Sequence, residues 1–313
     1  MTEVAPGVLR IDLPLPFAPA QVNVYLVKLA EGWMLVDTGM DSDRSAALLD
    51  AALAEAGATG SLRWIVITHC HPDHQALAGV LSERYGARVA MHREEVRALD
   101  QILHWETRLQ WQEEALRDAG VEPRMIRRVN ASFAIVQRTF RPVPVAWVLS
   151  GGETFDGAAG PLTVEWTGGH APGHILLRGP GFVLAGDAIL GNGVQPSVTW
   201  YPEADPLRDY VAALDRMRDA RLPAFCGHGE TVPDVPVWAE LARKRIFAKE
   251  DQMAALLENS PLPLREVAEQ VWPERLAPFD YRFAILEARA YAERLQRTGR
   301  IRRDSQNRYS ISR

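Results

Sequence analysis

The stretch Thr68-His69-Cys70-His71-Pro72-Asp73-His74 packs three imidazoles and one carboxylate into six positions. These ligand types suit zinc, and also iron or manganese. Trp64-Ile65-Val66-Ile67 just before it is a short apolar run, as in a buried strand. After it, Ala76, Leu77, Val80, Leu81 and Tyr85 recur at helical spacing. The polar residues therefore fall on a turn between strand and helix. In an extended stretch side chains alternate faces, so His69 and His71 point the same way and can converge on one ion. Pro72 ends the extended run and re-aims Asp73 and His74, within reach of a second ion but badly placed for the first. A polar helix start with incidental histidines is the bland alternative. Four ligand-type side chains in so short a run argue against it.

This arrangement resembles the signature of the metallo-β-lactamase superfamily, and the likeness extends along most of the chain. Asp37 in Leu35-Val36-Asp37-Thr38-Gly39 matches the upstream acidic position. His170 in Gly168-Gly169-His170-Ala171-Pro172-Gly173-His174 matches the third-motif histidine. Asp187 in Leu184-Ala185-Gly186-Asp187 and His228 in Cys226-Gly227-His228-Gly229 match the bridging aspartate and the last histidine. By that resemblance His69, His71 and His170 hold one metal, Asp73, His74 and His228 hold the other, and Asp187 bridges. The implied cofactors are two divalent ions, zinc first, with iron or manganese as alternatives; Asp73 and Asp187 are the expected catalytic carboxylates. Asp37 at a strand end could be a turn or cap aspartate. The resemblance makes it a residue behind the ligands that orients a ligand histidine. His174 opens the next strand and could face the cleft, but the family pattern gives the ligand role to His170. Asp187 ends an apolar strand, where an unpaired carboxylate is costly and a cation supplies the missing charge. The fold implied is α/β, an αββα sandwich with a helical insertion and a small C-terminal winged-helix-like domain.

The chain has 313 residues, 47% apolar and 24% charged, the proportions of a soluble globular protein with room for two domains. A net charge of −5 offers no global electrostatic case for a nucleic-acid partner. Lys28, Lys244 and Lys249 are the only lysines. With the many alanines, this bias to arginine reads as coding preference rather than phosphate binding. Residues 1–13 contain Glu3 and Asp12 and no long apolar core, so no signal peptide is expected. No stretch approaches the length of a membrane helix, and two cysteines make no disulfide framework. A cytoplasmic address is the default expectation. Cys70 and Cys226 neighbour ligands without matching a ligand position and read as packing thiols.

Residues 22–29 and 32–37 read as adjacent strands, followed by a helix from Asp41 or Ser42 to Ala56 with Gly57 as its stop. After a strand at 87–91, residues 93–148 read as mostly helical. Val96, Leu99, Leu103 and Leu109 form one apolar stripe; Met125, Val129, Phe133, Val136 and Phe140 form another. Trp105, Trp111 and Trp147 add bulk, each alone consistent with plain packing. The insertion as a whole resembles the family's cleft covers, so a lid is expected. His92 and His104 read as structural. Strands at 162–167, 174–178 and 182–187 begin or end at motif loops. A helix at 206–217 and a strand at 224–225 lead to His228.

The metallo-β-lactamase domain is expected to span 1–235. In 236–313, helices at 238–257, 264–272 and 283–295 precede a hairpin at 301–311. That order resembles the winged helix of the beta-lactamase-like protein 2 group. Nine arginines from Arg282 onward face only Glu287, Glu293 and Asp304 within that segment. They could meet phosphates, form a solvated face, or pack beside the cleft.

Two ions close together lower the pKa of a shared water towards neutrality, giving a hydroxide nucleophile, and polarise the bond attacked. The expected reaction is hydrolysis of a small thioester, ester or lactone, similar to glyoxalase II. A metal-dependent single-strand endoribonuclease is the alternative, and a nucleic-acid-binding regulator on a metal scaffold comes third. The expected partner is a small-molecule substrate, with no membrane, nucleic acid not favoured, and a homodimer left open. A sulfur dioxygenase would need one iron, which the second ligand set disfavours, and the absent export signal disfavours β-lactam hydrolysis.

Overall fold

In the computed structural model, which describes residues 1–17, 19–218 and 221–312 apart from the side chains of Trp105 and Thr107, seven strands lie side by side in chain order. They are β1 Thr2–Ala5, β2 Val8–Pro14, β3 Gln21–Lys28, β4 Trp33–Val36, β5 Leu62–Ile67, β6 Arg88–His92 and β7 Val145–Leu149. The first four pair antiparallel, and β4 to β7 run parallel. A second sheet, ordered β12-β11-β10-β9-β8, comprises β8 Thr154–Gly157, β9 Gly160–Trp166, β10 Ile175–Gly179, β11 Phe182–Gly186 and β12 Ala224–Cys226.

Period-2 alternation explains why the central strands are apolar on both faces. Val36, Val66 and Ala90 of the first sheet meet Val164, Leu177, Leu184 and Phe225 of the second. Their neighbours Leu35, Ile65 and Val89 face outward onto Leu49 and Leu53 of α1 (Asp43–Glu55) and Leu81, beyond the short α2 (Pro72–Gln75), on α3 (Ala78–Tyr85). Ser42 starts α1 by accepting the Ser45 N–H at 3.1 Å.

The insertion forms α4 Arg93–Leu103, α5 Trp105–Asp118 and α6 Pro123–Gln137. It is shorter than the helical stretch expected over 93–148. Arg141-Pro142-Val143-Pro144 cannot continue a helix, and the following residues extend the first sheet as β7, with Val145 opposite Val89. Phe140 therefore lies beyond the helical stripe, though still buried. Trp147 packs on Trp64 and Phe155 with ring centroids 5.3 and 5.1 Å away. The Trp105 side chain lies outside the described residues.

The second sheet's outer face, with Leu176, Val183 and Ala185, packs on Tyr210 and Leu214 of α7 (Pro206–Met217). The same core runs on without a break into the last segment: α8 Val235–Asn259, β13 Leu262–Pro263, α9 Leu264–Val271, α10 Pro278–Arg297, β14 Ile301–Arg303 and β15 Arg308–Ile311. Its strands form a small sheet ordered β13-β15-β14. Residues 260–263 thus supply a strand as well as a helix break. Pro278 starts α10 five residues before the expected 283, which puts Phe279 and Arg282 on the helix.

Most of the tail's arginines bind carboxylates. Arg289 pairs with Glu293, Arg294 with Glu250, Arg297 with Asp205 and Glu293, Arg300 with Asp251, Arg303 with Asp118 and Arg308 with Asp304. Among the described residues no helix is long and apolar enough to cross a membrane.

Candidate metal centre

Asp37 follows β4, the first histidine motif follows β5, Asp187 follows β11 and His228 follows β12, while His170 sits on the turn from β9 to β10. The strand ends bring seven side chains together from these loops. Among the described residues three groups have candidate ligand atoms mutually within 4.8 Å: His69, His71 and His170; His69, His74 and Asp187; and Asp73, His74 and His228.

Hydrogen bonds behind the imidazoles decide which nitrogen faces inward. His74 Nδ1–H donates to Asp37 Oδ2 at 2.8 Å, His170 Nδ1–H to the Ser197 carbonyl at 3.0 Å, and His228 Nδ1–H to the Gln21 carbonyl at 2.9 Å. Thr68 Oγ1 donates to Asp37 Oδ2 at 2.8 Å, so it accepts from His69 Nδ1–H at 3.1 Å. All four therefore turn an Nε2 lone pair inward. Asp37 sits at φ +61°, costing roughly 1–2 kcal/mol for a residue with a Cβ. It is held there by the Thr68 N–H and hydroxyl and by His74. One carboxylate thus orients a histidine in each ligand group, directly for His74 and through Thr68 for His69.

Inward, His71 Nδ1 lies 2.9 Å from His69 Nε2 and 3.1 Å from His170 Nε2. Nitrogen lone pairs at such distances repel unless a proton or a cation lies between them. His74 Nε2 and Asp187 Oδ1, 3.5 Å apart, are buried without a hydrogen-bond partner among the described residues. Asp187 Oδ2 faces His170 Nε2 at 3.7 Å and His228 Nε2 at 3.5 Å, one histidine from each group. Asp73 Oδ2 is 3.3 Å from His228 Nε2. The donor set, its orphaned atoms and the carboxylate between the groups fit a pair of divalent cations.

Burial, then the surrounding imidazoles, pushes His69 well below the ordinary histidine value; burial and His170 bring His71 down to about 3. Both imidazoles are therefore neutral at physiological pH. Burial also opposes charge on His74 and His228, but Asp187 and Asp73 outweigh it and raise both. For Asp187, burial is outweighed by His74 and His228, which hold the carboxyl well below its usual range.

His174 is buried beside these groups in another role. Its Nε2 accepts the Asp187 backbone N–H at 3.0 Å, and its Nδ1–H donates to Thr167 Oγ1 at 2.8 Å. No lone pair is left for a metal. His92 and His104 lie outside the groups; His92 caps α4 by accepting the Glu94 N–H at 3.3 Å. Cys70 and Cys226 are buried thiols, Cys226 pushed up to about 12 by burial and then by Asp187.

Glu95 carried no signal in the sequence, yet it ties two motif loops together. Its Oε2 accepts the Cys70 N–H and its Oε1 the Gly173 N–H, each at 2.6 Å. A Cβ on Gly173 would lie 2.5 Å from His92 Nδ1 and 2.7 Å from the Glu95 nitrogen, so this approach requires glycine.

Residues 18–228 match the family model described as the metallo-beta-lactamase superfamily. The chain belongs to the metallo-β-lactamase superfamily. Within it, the chain is 27% identical over 286 residues to the protein described as "Probable metallo-hydrolase YqjP" of Bacillus subtilis (strain 168), covering 85% of each. The metallo-beta-lactamase family protein TTHA1429 of Thermus thermophilus is 31% identical with a TM-score of 0.85, covering 99% of this chain and all of that one. A beta-lactamase domain protein from Burkholderia ambifaria shares the fold at a TM-score of 0.88 and 23% identity, covering 99% of this chain and 94% of that one.

In this superfamily member a cavity of about 1000 Å³ opens beside His71, Asp73 and His170. Ile102 of α4, Trp111 of α5, Phe133 of α6 and Phe283 of α10 line it, so the insertion and the last helix together enclose the cleft.

Proposed function

We propose that this chain is a metal-dependent hydrolase of a small thioester, ester or lactone, similar in chemistry to glyoxalase II, with residues 236–313 as a winged-helix-like domain that helps to close its cleft. The observation that carries the reading is the cavity. It is roofed by helices, walled largely by aromatic and aliphatic side chains and floored by His71, Asp73 and His170. Such a space suits a drug-sized molecule. His69, His71 and His170 are the proposed ligands of one ion, Asp73, His74 and His228 of the other, and Asp187 of both. Zinc is the first candidate, with iron or manganese compatible with the same donors. When bound, such a pair supplies an acidified water and polarises the carbonyl.

The residues' own parts follow from their placement. Asp73 lines the cavity with its carboxyl held ionised, because His74 and the hydrogen bond from His228 outweigh burial. It orients the attacking water and accepts its proton. Water adds across the acyl bond, which breaks to a carboxylic acid and a thiol or alcohol. The helices over the cavity exclude bulk water and hold the acyl chain.

The test is turnover of a panel of thioesters, esters, lactones, phosphodiesters and single-stranded RNA by protein loaded with zinc, iron or manganese. Hydrolysis of one acyl class, lost in Asp187→Ala, is expected. Cleavage confined to phosphodiesters or RNA would overturn the reading.

A further inference from the structure

Arg108 on α5 and Arg282 on α10 line the same cavity as His71, Asp73 and His170. Among the described residues neither has a carboxylate within ion-pair distance. Arg282 is only 5% exposed, and its one hydrogen bond among the described residues, from Nη1 to Gln112 Oε1, is long at 3.5 Å. The Nε of each guanidinium is buried without an acceptor. Aromatic rings take the place of anions. Arg282 stands 4.3 Å from the ring centres of both Phe133 and Phe283; Arg108 stands 5.1 Å from Trp111 and 5.6 Å from Phe133.

The two charges thus share one ring. Burial, then the charge of Arg108, lowers Arg282 to about 9, so it remains cationic at neutral pH. Glu95 attracts Arg108 from beyond ion-pair range, but both its oxygens are held by backbone N–H groups. Glu94, Glu114 and Glu203 also line the cavity without pairing to either arginine. Buried arginines are rarely left unpaired, and six others in the tail have carboxylate partners here. Cation–π contact offsets only part of the cost of dehydrating two like charges side by side. A planar guanidinium fork is matched by a carboxylate or phosphate.

Resting on the hydrolase reading above, we propose that Arg108 and Arg282 form an anion subsite. The substrate is accordingly a thioester, ester or lactone whose far end carries a carboxylate or phosphate on an apolar stem. The stem lies along Trp111, Phe133 and Phe283. Binding of the anion relieves the repulsion between the two arginines, so selectivity arises from the missing partner.

Binding is tested first without turnover. Protein dialysed free of metal is melted with 3-phenylpropionate or with phenyl phosphate, for the wild type and for Arg108→Met and Arg282→Met. Each anion should raise the wild-type melting temperature, and both variants should lose that rise. The anion giving the larger rise distinguishes carboxylate from phosphate. Without ligand, Arg282→Met should melt no lower than the wild type, because an unpaired buried charge has gone. In the metal-loaded full chain, the kcat/KM preference for a charged thioester over its neutral methyl-capped analogue should fall about 10- to 100-fold in each variant. No rise with either anion, a rise that survives in both variants, or an unchanged preference overturns the subsite. Variants that melt well below the wild type and lose charged and neutral substrates alike would make the arginines a structural stack, also overturning it. An arginine-dependent rise in a protein that cleaves no acyl substrate would leave the subsite standing and remove the hydrolase reading.

Discussion

Thr68 illustrates how one hydroxyl sets the protonation of a site. It accepts from His69 and donates to Asp37, so the carboxylate that holds His74 also fixes the tautomer of His69. Thr68→Val keeps the shape and removes that relay. Metal affinity, measured by competition with a chelating dye, should weaken about 10- to 100-fold, and Thr68→Ser should restore it. Unchanged affinity in the valine variant would remove the relay from the account. His170→Ala should lose metal, whereas His174→Ala should keep it at a stability cost of about 1–3 kcal/mol, because the buried Asp187 N–H loses its acceptor. Metal analysis and denaturant melts separate the two. The pH response has a definite sign. His74 and His228 have raised values, so in metal-free protein their ion pairs add stability below about 6.5 and lose it as pH rises through those values. His69, His71 and His174 have lowered values and withdraw stability as pH falls below about 6.5. Protons therefore compete with metal at His74 and His228 to higher pH than at His69 and His71. On acidification the metal content should fall in two steps, the first absent from His228→Ala. A single step in the wild type would contradict this order.

At the scale of elements, α4 matters through a residue whose partners are remote in sequence. Glu95 holds backbone N–H groups 25 and 78 positions away, fixing the loop of His71 against the loop of His170. Glu95→Gln turns an amide donor towards one of those N–H groups. It should cost about 1–3 kcal/mol in a denaturant melt and lower metal retention through dialysis; full retention would make the tie dispensable to the site. The same remoteness explains what was legible in the sequence. The strand–turn–helix around His69 is local: an apolar run, a proline and a helical repeat lie within about twenty residues. The strand and the proline took their expected places, while the helical stretch is divided into α2, which carries Asp73 and His74, and α3, with Ala76 and Leu77 between them. His170, His228 and Asp187 were legible because their glycine-flanked loops resemble a known pattern, and the folded chain brings them together. Glu95, Arg108 and Arg282 offered nothing of that kind. Each is a charged residue on a helix, ordinary until long-range folding buries Glu95 and Arg282 and half-buries Arg108. The insertion's end was less legible for a different reason: Phe140 continues the helical spacing of Val129, Phe133 and Val136 in the sequence, yet α6 stops at Gln137, and Pro142 and Pro144 bar further helix before Val145–Leu149 joins the sheet edge.

At the scale of the whole molecule, most of the arginine-rich tail is engaged by carboxylates. Arg294 and Arg300 reach α8 through Glu250 and Asp251, Arg297 reaches Asp205 at the start of α7, and Arg303 reaches Asp118 at the end of α5. Arg294 and Arg300 thus tie α10 and the turn after it to α8 within the last segment, Arg297 and Arg303 join that segment to the body, and with a net charge of −5 few arginines remain to track a phosphate backbone. Arg302, whose Nε donates to Ser310 Oγ at 3.4 Å, is an exposed exception. A surface that neutralises several phosphates releases as many counterions, and its affinity falls steeply with salt. Binding of short single-stranded RNA should therefore be weak and nearly flat across a salt series, measured with metal removed so that cleavage does not interfere. Changing Arg302, Arg303 and Arg308 together to Gln should alter it little, although loss of the Arg303–Asp118 pair should loosen the tail slightly. Tight, salt-sensitive binding that the triple variant abolishes would show that these arginines exchange their carboxylates for phosphates. If metal then restored RNA cleavage, the endoribonuclease would replace the small-substrate hydrolase; if binding stayed tight without cleavage under any metal, the nucleic-acid-binding regulator would replace both.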